Sequence, residues 1–334
     1  MMMRVLVTGG AGYIGSHCCK ALASAGFEPV VYDNLSTGHR HFCKWGPLVP
    51  GDIRDADTLS RTFEAMRPVA VIHLAAQSIV TRSNEDPQET FDVNVAGTLN
   101  LLDVMKRYGT DRIVFSSTCA IYGNVESQTI DEACRNNPIN PYGSSKAMVE
   151  AILESYEAAY GLRSVRLRYF NAAGADEKAA VGEWHEPETH LIPIVLDVAM
   201  GLRPALQING NDYDTADGTA IRDYIHVEDL ASAHVSALTY LLEGAPGATV
   251  NVGTGAGHSV SEIVQVVSRL TRRPVPTLHG PRRPGDPPRL VANARRAGQL
   301  LHWQPRKDID AMIRDAWRWH QDLRKADGVQ SLTA

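Results

Sequence analysis

The stretch that decides the fold is Thr8-Gly9-Gly10-Ala11-Gly12-Tyr13-Ile14-Gly15, which joins a first apolar strand, residues 4–8, to a first helix, residues 14–25. It satisfies the spacing G-x-G-x-x-G at Gly10, Gly12 and Gly15. Because glycine has no Cβ, the backbone N–H groups of such a turn can approach a pyrophosphate, and the helix N-terminus adds partial positive charge. The stretch therefore predicts a dinucleotide-binding turn, with a purely structural glycine turn as the alternative.

Short apolar runs alternate with helical patterns through the first half of the chain. Continuous β-branched runs separated by helices are typical of a parallel sheet that is covered on both faces. Right-handed crossovers then give an α/β fold with a doubly wound, Rossmann-type sheet. The predicted strands are residues 4–8, 29–32, 69–74, 112–116 and 164–169, and the predicted helices are residues 14–25, 58–66, 88–108 and 142–160.

The composition changes after Phe170. Residues 171–220 are rich in Gly, Pro, Asn and Asp, which is typical of loops that carry short elements. A helix at residues 227–242 and a strand at 249–252 are predicted to return to the first lobe, and an amphipathic helix at 309–323 closes the chain. We expect a dinucleotide-binding domain at residues 1–172, with a return of about 221–252, and a smaller, loop-rich α/β substrate-binding lobe at 173–334.

Composition narrows the class of protein. The chain has 334 residues and a formal net charge of −5, which argues against nucleic-acid or membrane-surface binding because both need a basic face. Five cysteines without paired spacing predict neither a disulfide framework nor a zinc site, and His39 and His41 match no common zinc pattern. No apolar run approaches the roughly 20 residues of a membrane span, and no signal peptide precedes the first strand. We expect a cytoplasmic protein without a bound metal ion.

Asp33 supports the dinucleotide interpretation. It ends the second predicted strand, about 20 residues after the glycine turn, where a carboxylate can accept hydrogen bonds from both ribose hydroxyls. A carboxylate there also repels a 2′-phosphate, so NAD is favoured over NADP. A strand-end cap is the alternative role. Asp52 and Ile53 follow a third short strand and are candidates to contact the adenine edge.

Tyr142 and Lys146 are the candidate catalytic pair. Their spacing of four residues places the phenol and the ammonium on one face of a helix, and Val149 and Leu153 extend that face as an apolar stripe. A free tyrosine has a pKa near 10, so we expect Lys146, the helix N-terminus and a nicotinamide cation to favour the phenolate. Thr118 follows the strand at residues 112–116 and is a candidate to relay a proton to Tyr142.

These motifs resemble the extended short-chain dehydrogenase/reductase family and, within it, the UDP-glucose 4-epimerase family. The resemblance to the short-chain dehydrogenase/reductase family rests on Thr118, Tyr142 and Lys146 together with the glycines. The resemblance to the UDP-glucose 4-epimerase family rests on further segments that span most of the chain. They are residues 115–123, 140–146, 168–174, 188–193, 210–213, 217–219 and 222–227.

The resemblance implies roles for individual residues. Arg222 and Arg283 are planar donors suited to a pyrophosphate, and Asp286 can accept uridine ribose hydroxyls, although a solvated basic loop is the alternative for these arginines. The implied cofactor contacts are Gly9, Gly12, Tyr13, Ile14, Gly15, Asp33, Asn34, Asp52, Ile53, Leu74, Ala75, Ala76, Asn94, Tyr142, Lys146 and Phe170. The implied substrate contacts are Thr118, Asn171, Leu191, Ile208, Arg222, Tyr224, Arg283 and Asp286.

The resemblance also implies an activity: interconversion of UDP-glucose and UDP-galactose through a transient 4-keto sugar, with NAD held tightly and not consumed. It implies a homodimer formed through helices 88–108 and 142–160. Sister dehydratases and decarboxylases are disfavoured, because Thr118 is followed by Cys119 and Ala120 rather than by acid–base groups.

Three alternatives stay open: a UDP-xylose/UDP-arabinose 4-epimerase, a UDP-GlcNAc/UDP-GalNAc 4-epimerase, and a non-catalytic NAD sensor. The chain departs from relatives at Gln77, Ser78 and Arg82, and Leu290 stands where some relatives carry a bulky tyrosine. We therefore expect the smaller Leu290 to leave room for a 2-acetamido group in the sugar pocket.

Overall fold

The computed structural model describes residues 2–125, 127–283 and 286–326. Within these ranges, seven parallel strands form one sheet in the order β10-β6-β5-β4-β1-β2-β3. Its strands are β1 Arg4–Thr8, β2 Glu28–Asp33, β3 Leu48–Pro50, β4 Ala70–His73, β5 Arg112–Ser116, β6 Arg163–Tyr169 and β10 Ala248–Val252. The predicted fold class, a doubly wound Rossmann-type sheet, is confirmed.

Helices cover both faces of this sheet. The side chains of β1 alternate between the two layers: Val5 and Val7 pack in the layer of α1 and α8, and Leu6 packs in the layer of α2, α5 and α6. Burial of both faces explains why these strands are apolar along their whole length. The helices are α1 Tyr13–Ser24, α2 Ala56–Met66, α3 Val80–Glu85, α4 Pro87–Phe91, α5 Gly97–Tyr108, α6 Pro141–Tyr160, α8 Val227–Leu242 and α10 Arg295–Leu301.

The remaining elements pack around a separate apolar cluster that includes Ile192, Ile208, Tyr224 and Ile313. In the described chain, β9 pairs with β7, β11 and β13, and β8 pairs with β12. Helix α8 packs against the main sheet and strand β10 joins it, whereas β9, with which the predicted return of about 221–252 begins, pairs in the smaller sheet. The elements are β7 Asn171–Ala173, α7 Leu191–Ala199, β8 Leu206–Asn209, β9 Ile221–His226, β11 Gly257–Ser259, α9 Val260–Thr271, β12 Thr277–Gly280, β13 Arg289–Leu290 and α11 Ile309–Ala326.

The structure differs from the predicted continuous helix at residues 88–108. Helices α4 and α5 are joined by a π-helical turn, Asp92–Ala96, which sequence periodicity does not reveal. Such π-turns are rare and are frequent at functional sites, and the buried residue of this one is Asn94. None of the described helices is long and apolar enough to cross a bilayer.

Gly15 is a position in the glycine turn that leaves no room for a side chain. A Cβ built there would lie 2.1 Å from the carbonyl oxygen of Gly9, so the first turn of α1 would have to move. We predict that Gly15→Ala lowers the free energy of unfolding by about 1–3 kcal/mol, measured by urea denaturation.

Gly298→Ala is the matched control, because that helical glycine has only the Trp303 carbonyl oxygen at 3.5 Å from a built Cβ. It should raise stability by up to about 1 kcal/mol, as alanine does in an open helix position. Equal effects of the two substitutions would refute the steric argument.

Candidate active site

The glycine turn lies at the carboxyl end of β1 and leads into α1. Gly9 adopts φ +72°, and a Cβ there would lie 2.7 Å from the backbone nitrogen of Ala75. Gly12 is the N-cap of α1, and no side chain of the described residues caps it, so the first N–H groups of α1 stay available to an anion. Tyr13 and Ile14 begin the helix, and the Tyr13 hydroxyl donates to the carbonyl oxygen of Gly174 at 2.7 Å.

Asp33 lies beside this turn at the end of β2. Its carboxylate accepts hydrogen bonds from the backbone N–H of Ala11 at 3.0 Å and of Leu35 at 2.8 Å. Burial raises the pKa of Asp33, and these two N–H donors act in the opposite direction. The carboxylate thus joins the glycine turn to the loop after β2, as a strand-end cap does. The ribose contact of Asp33 stays a prediction.

Asn34, Asp52 and Ile53 lie at the same edge of the sheet. The Asn34 amide donates to Asp52 Oδ2 at 2.8 Å. Hydrogen bonds from the Arg54 guanidinium lower the pKa of the Asp52 carboxyl, which is therefore firmly ionised. Ile53 is buried against Gly97 at the start of α5.

The loop after β4 begins with Leu74, Ala75 and Ala76. Its next residue, Gln77, contacts the π-turn. Asn94 Oδ1 accepts from the Gln77 backbone N–H at 2.7 Å, and Asn94 Nδ2 donates to Ser145 Oγ at 2.9 Å. The π-turn therefore connects the β4 loop to the helix that carries Tyr142. Leu74 and Ala75 are tied to β1, since both backbone N–H groups donate to the carbonyl oxygen of Thr8.

The departures from relatives fall on this loop and on α3. The Gln77 side-chain nitrogen is buried and has no hydrogen-bond partner among the described residues. Ser78 is exposed. Arg82 points outward and forms an ion pair with Glu89 at 2.8 Å, so it is committed at the surface.

Tyr142, Lys146 and Thr118 come together at the carboxyl end of β5. Tyr142 and Lys146 are 8% and 3% exposed, and Lys146 Nζ donates to the carbonyl oxygen of Ser116 at 2.9 Å. Thr118 lies two residues beyond Ser116, and a hydrogen bond with its hydroxyl acts to lower the pKa of the Tyr142 phenol. The helix begins at Pro141, and the Asn140 side chain caps it by accepting from the Gly143 N–H.

The protein alone does not ionise Tyr142. Burial raises its pKa to about 12, and the Thr118 hydroxyl offsets this only in part. Burial also lowers the pKa of Lys146 to about 7, with the charge of Glu150 acting in the opposite direction. The expected influence of Lys146 on the phenol is therefore weaker than the spacing suggested, because the ammonium itself is desolvated and lies 6.0 Å from the Tyr142 ring centre. A further positive charge beside the phenol is needed.

A buried ionic network behind this pair was not foreseen. Glu150 accepts from the Arg168 guanidinium at 2.5 Å and from Ser117 Oγ at 2.5 Å. Glu150 lies one helical turn after Lys146, so the same four-residue spacing that identified Lys146 would have identified it. The network fixes the helix against the ends of β5 and β6.

The candidate substrate residues form a second group at β8, β9 and the segment before β13. Arg222 Nη2 donates to Asp286 Oδ1 at 2.5 Å and to the Pro287 carbonyl oxygen at 2.9 Å. With the Asn209 amide oxygen turned toward Arg283, Arg283 Nη2 and Nε lie 3.2 and 3.1 Å from it. This set of residues thus contains two guanidinium groups and one carboxylate. Such side chains suit the predicted binding of a diphosphate and a ribose.

The remaining candidates lie in or beside two apolar clusters. Leu191, Ile208 and Tyr224 belong to one cluster, and Asn171 pairs with Tyr224 through β7 and β9. Phe170 belongs to a neighbouring cluster in which Cys119 and Leu290 also pack. The cluster that contains Cys119 adjoins both groups. Cys119 directly follows Thr118, and the charge of Arg222 acts to lower the pKa of the Cys119 thiol, against the larger effect of burial.

Sequence reasoning missed Tyr213 and Arg282 in the second group. The Arg282 guanidinium lies 4.4 Å from the centre of the Tyr213 ring. The Tyr213 hydroxyl is buried, and its pKa is raised by burial and by the charge of Asp286. The segment 210–213 did carry the resemblance, but nothing in its spacing showed that Tyr213 faces Arg282.

The residues of the glycine turn and of the loop after β4 fit a dinucleotide. The glycine turn offers the uncapped start of α1, Gly9 and Gly15 leave no room for side chains, and Gln77 presents a buried nitrogen without a described partner. The model of the NAD dependent epimerase/dehydratase family matches residues 5–253 of this chain. The chain belongs to this family.

Individual relatives of the NAD dependent epimerase/dehydratase family match nearly the whole chain. The UDP-glucose 4-epimerase of Rhizobium meliloti (strain 1021) is 51% identical over 316 residues, which cover 95% of this chain and 96% of that protein. The crystal structure of UDP-glucose 4-epimerase from Brucella ovis in complex with NAD has a TM-score of 0.93 and 50% identity, covering 95% of this chain and 98% of that one.

The crystal structure of UDP-glucose 4-epimerase from Bifidobacterium longum, in complex with NAD⁺ and UDP, has a TM-score of 0.91 and 35% identity. It covers 96% of this chain and 98% of that chain. The resemblance stated from the sequence is confirmed by these matches. The roles of individual site residues stay predictions.

Proposed function

We propose that this chain interconverts UDP-glucose and UDP-galactose by NAD-dependent epimerisation at C4, through a transient 4-keto sugar. The class of enzyme and the NAD cofactor predicted from the sequence are confirmed by relatives that carry the name UDP-glucose 4-epimerase and by solved structures that hold NAD. The observation that carries the proposal is the buried group of Tyr142, Thr118 and Lys146 at the carboxyl end of β5.

The cofactor would be held by the glycine turn, by Asp33 and Asn34, and by Lys146. A bound NAD would supply the acceptor and then the donor of the hydride for the sugar carbon. The residues of the chain have a different task, which is to move one proton and to exclude water. The Tyr142 side chain, as the phenolate, takes the proton of the sugar hydroxyl, with the Thr118 hydroxyl as the bridge between them, and the resulting phenol gives the proton back when the ketone is reduced.

Anchoring of the UDP moiety is the second requirement. Epimerisation needs both faces of one carbon to be presented in turn, so the sugar must rotate while its diphosphate stays in place. Arg222, Arg283 and Asp286 supply charged, directional contacts, whereas Leu191, Ile208 and Tyr224 offer mainly apolar surface. Strong contacts at one end and weak contacts at the other allow both epimers to bind.

Replacement of Tyr142 by phenylalanine tests the proton transfer. We expect Tyr142→Phe to lower kcat by about 100- to 10,000-fold, because general acid–base catalysis contributes on this scale. NAD content, read from the absorbance of the purified protein, should be unchanged. Tyr160→Phe is the control, since Tyr160 ends the same helix and is 57% exposed.

An unchanged kcat in Tyr142→Phe would remove the phenol from the reaction. A wild-type protein that binds NAD but converts no UDP-sugar would instead support the NAD-sensor alternative. Retention of deuterium at C4 during turnover is also expected, and its loss to solvent would refute an internal return of hydride.

Leu290 bears on which sugar is accepted. It is half-buried on β13 and packs against the cluster of Tyr122 and Phe170. We expect the wild-type protein to convert UDP-GlcNAc in addition to UDP-galactose, and Leu290→Tyr to lose at least about 10-fold more activity on UDP-GlcNAc, because a bulky ring fills the space needed by the acetamido group.

The measurement is product analysis after incubation with UDP-hexoses, UDP-N-acetylhexosamines and UDP-pentoses. Absence of wild-type turnover on UDP-GlcNAc, beside good turnover on UDP-galactose, would refute the role given to Leu290. Exclusive turnover of UDP-pentoses would favour the UDP-xylose/UDP-arabinose alternative.

We further propose a homodimer through α5 and α6. Leu99, Tyr108, Met148 and Tyr160 are large apolar residues of these helices with 39–57% exposure. The Lys106 ammonium lies 4.6 Å from the Tyr160 ring centre, which places the two helices side by side. Exposed apolar side chains on adjacent helices are typical of a surface that is covered by a partner.

We expect light scattering to give the mass of two chains, and Leu99→Lys with Met148→Lys to give one. Leu278→Lys is the control, because Leu278 is 61% exposed on β12. A wild-type protein with the mass of one chain would refute the dimer.

The predicted cytoplasmic location stays a proposal, supported by five cysteines that are all free thiols in the described residues.

A further inference from the structure

Four metal-ligating side chains meet in the loop between β7 and α7. Glu183, His185, Glu188 and His190 each offer one ligand atom, and these atoms lie within 4.8 Å of one another. None of them is among the residues assigned to the cofactor or the UDP-sugar above. We call these four residues the loop cluster.

The distances inside the loop cluster suit a small cation. His190 Nδ1 lies 2.9 Å from Glu183 Oε1 and 2.9 Å from Glu188 Oε1. His185 Nδ1 lies 3.5 Å from Glu183 Oε1 and 3.5 Å from Glu188 Oε2. Four ligands at about 2.0–2.1 Å from a zinc ion in a tetrahedron are about 3.3–3.4 Å apart, which falls between these values.

The Nδ1 atom of His185 is the second observation. It is buried and has no partner with hydrogen-bond geometry among the described residues, although it faces both carboxylates. A buried nitrogen without a partner costs free energy unless something binds it. The lone pair of a neutral imidazole is a ligand for a divalent transition metal.

The charges around the loop cluster point the same way. The side chains of Glu183 and Glu188 are 8% and 9% exposed, and within the described residues their ion pairs run only to His185 and His190. Two buried carboxylates without a lysine or arginine partner favour a compensating cation.

A second cluster in the fold makes the contrast clear. His226, Glu228 and Asp315 also lie within ligand distance of one another. Lys307 reaches both carboxylates, with Nζ 2.6 Å from Glu228 Oε2 and 3.0 Å from Asp315 Oδ2. That cluster contains a lysine ammonium, whereas the carboxylates of the loop cluster pair, within the described residues, with imidazoles alone.

We propose that the loop cluster binds one divalent ion of the zinc class, as a structural site with four protein ligands. The loop is attached to the rest of the fold before the cluster and at its first residue. The Trp319 indole donates to the Glu183 carbonyl oxygen at 2.9 Å, and the Tyr13 hydroxyl of α1 donates to Gly174 at 2.7 Å. His190 is also the N-cap of α7, whose first residue is Leu191. A bound ion thus fixes the loop between the glycine turn and the start of α7.

The test is metal binding by the chelator-treated, full-length protein. With ZnCl₂ as the probe, equilibrium dialysis should give one Zn²⁺ per chain, and Zn²⁺ should raise the melting temperature. CoCl₂ should give the intense visible absorption of four-coordinate Co²⁺. His190→Asn should weaken Zn²⁺ binding by at least about 100-fold, and asparagine is a favoured residue at the N-cap position of α7.

His279→Asn is the matched control, because it removes an exposed imidazole on β12, outside the loop cluster. It should bind Zn²⁺ as the wild type does. His185→Asn provides a second ligand variant in case one of them folds poorly. Wild-type protein that binds no stoichiometric Zn²⁺, or His190→Asn and His185→Asn that bind it as tightly as His279→Asn, would overturn the proposal and leave the loop cluster as two carboxylate–imidazolium pairs.

Discussion

A buried ammonium group ties helix α6 to the last residue of strand β5. Lys146 Nζ donates to the Ser116 carbonyl oxygen at 2.9 Å, in a region that water does not reach. Tyr142 lies one helical turn before Lys146, and Thr118 lies two residues after Ser116. Because β5 is hydrogen-bonded to β4 and β6 on either side, its end cannot shift independently of the sheet. The position of the phenol relative to the threonine hydroxyl therefore follows from this contact between one helix and one central strand.

The charges at this contact are balanced rather than isolated. Glu150 lies between Lys146 and Arg168, and it is the group whose charge favours the protonated form of Lys146. A buried charge is tolerated only where partners compensate for the lost water. Because burial lowers the pKa of Lys146 to about 7, this group offers the phenol only a partial positive charge at neutral pH. This explains why the protein alone raises the pKa of Tyr142, and why a cationic cofactor ring is needed to reverse that trend.

The main sheet could be predicted from the sequence because its strands are buried on both faces and its helices have regular periodicity. The same rules failed between residues 88 and 108, where the π-turn at Asn94 depends on contacts with Gln77 and Ser145 that are distant in sequence. The catalytic pair was visible because four-residue spacing is local. The loop cluster was not, because its spacing of two, three and two residues acquires meaning only when the loop folds back on itself.

The two ends of the candidate site bind by different physical means, and this difference constrains the chemistry. In the proposed site, guanidinium groups such as Arg222 and Arg283 would fix a diphosphate through directional, charge-assisted hydrogen bonds. Apolar contacts such as those of Leu191 impose little direction, so a sugar that rests on them can turn without losing a specific partner. A site that held the sugar hydroxyls as firmly as the diphosphate would favour one epimer and block the return of hydride to the other face. Weak sugar contacts are therefore a requirement of the reaction, and they also explain why sequence alone leaves the choice of sugar open.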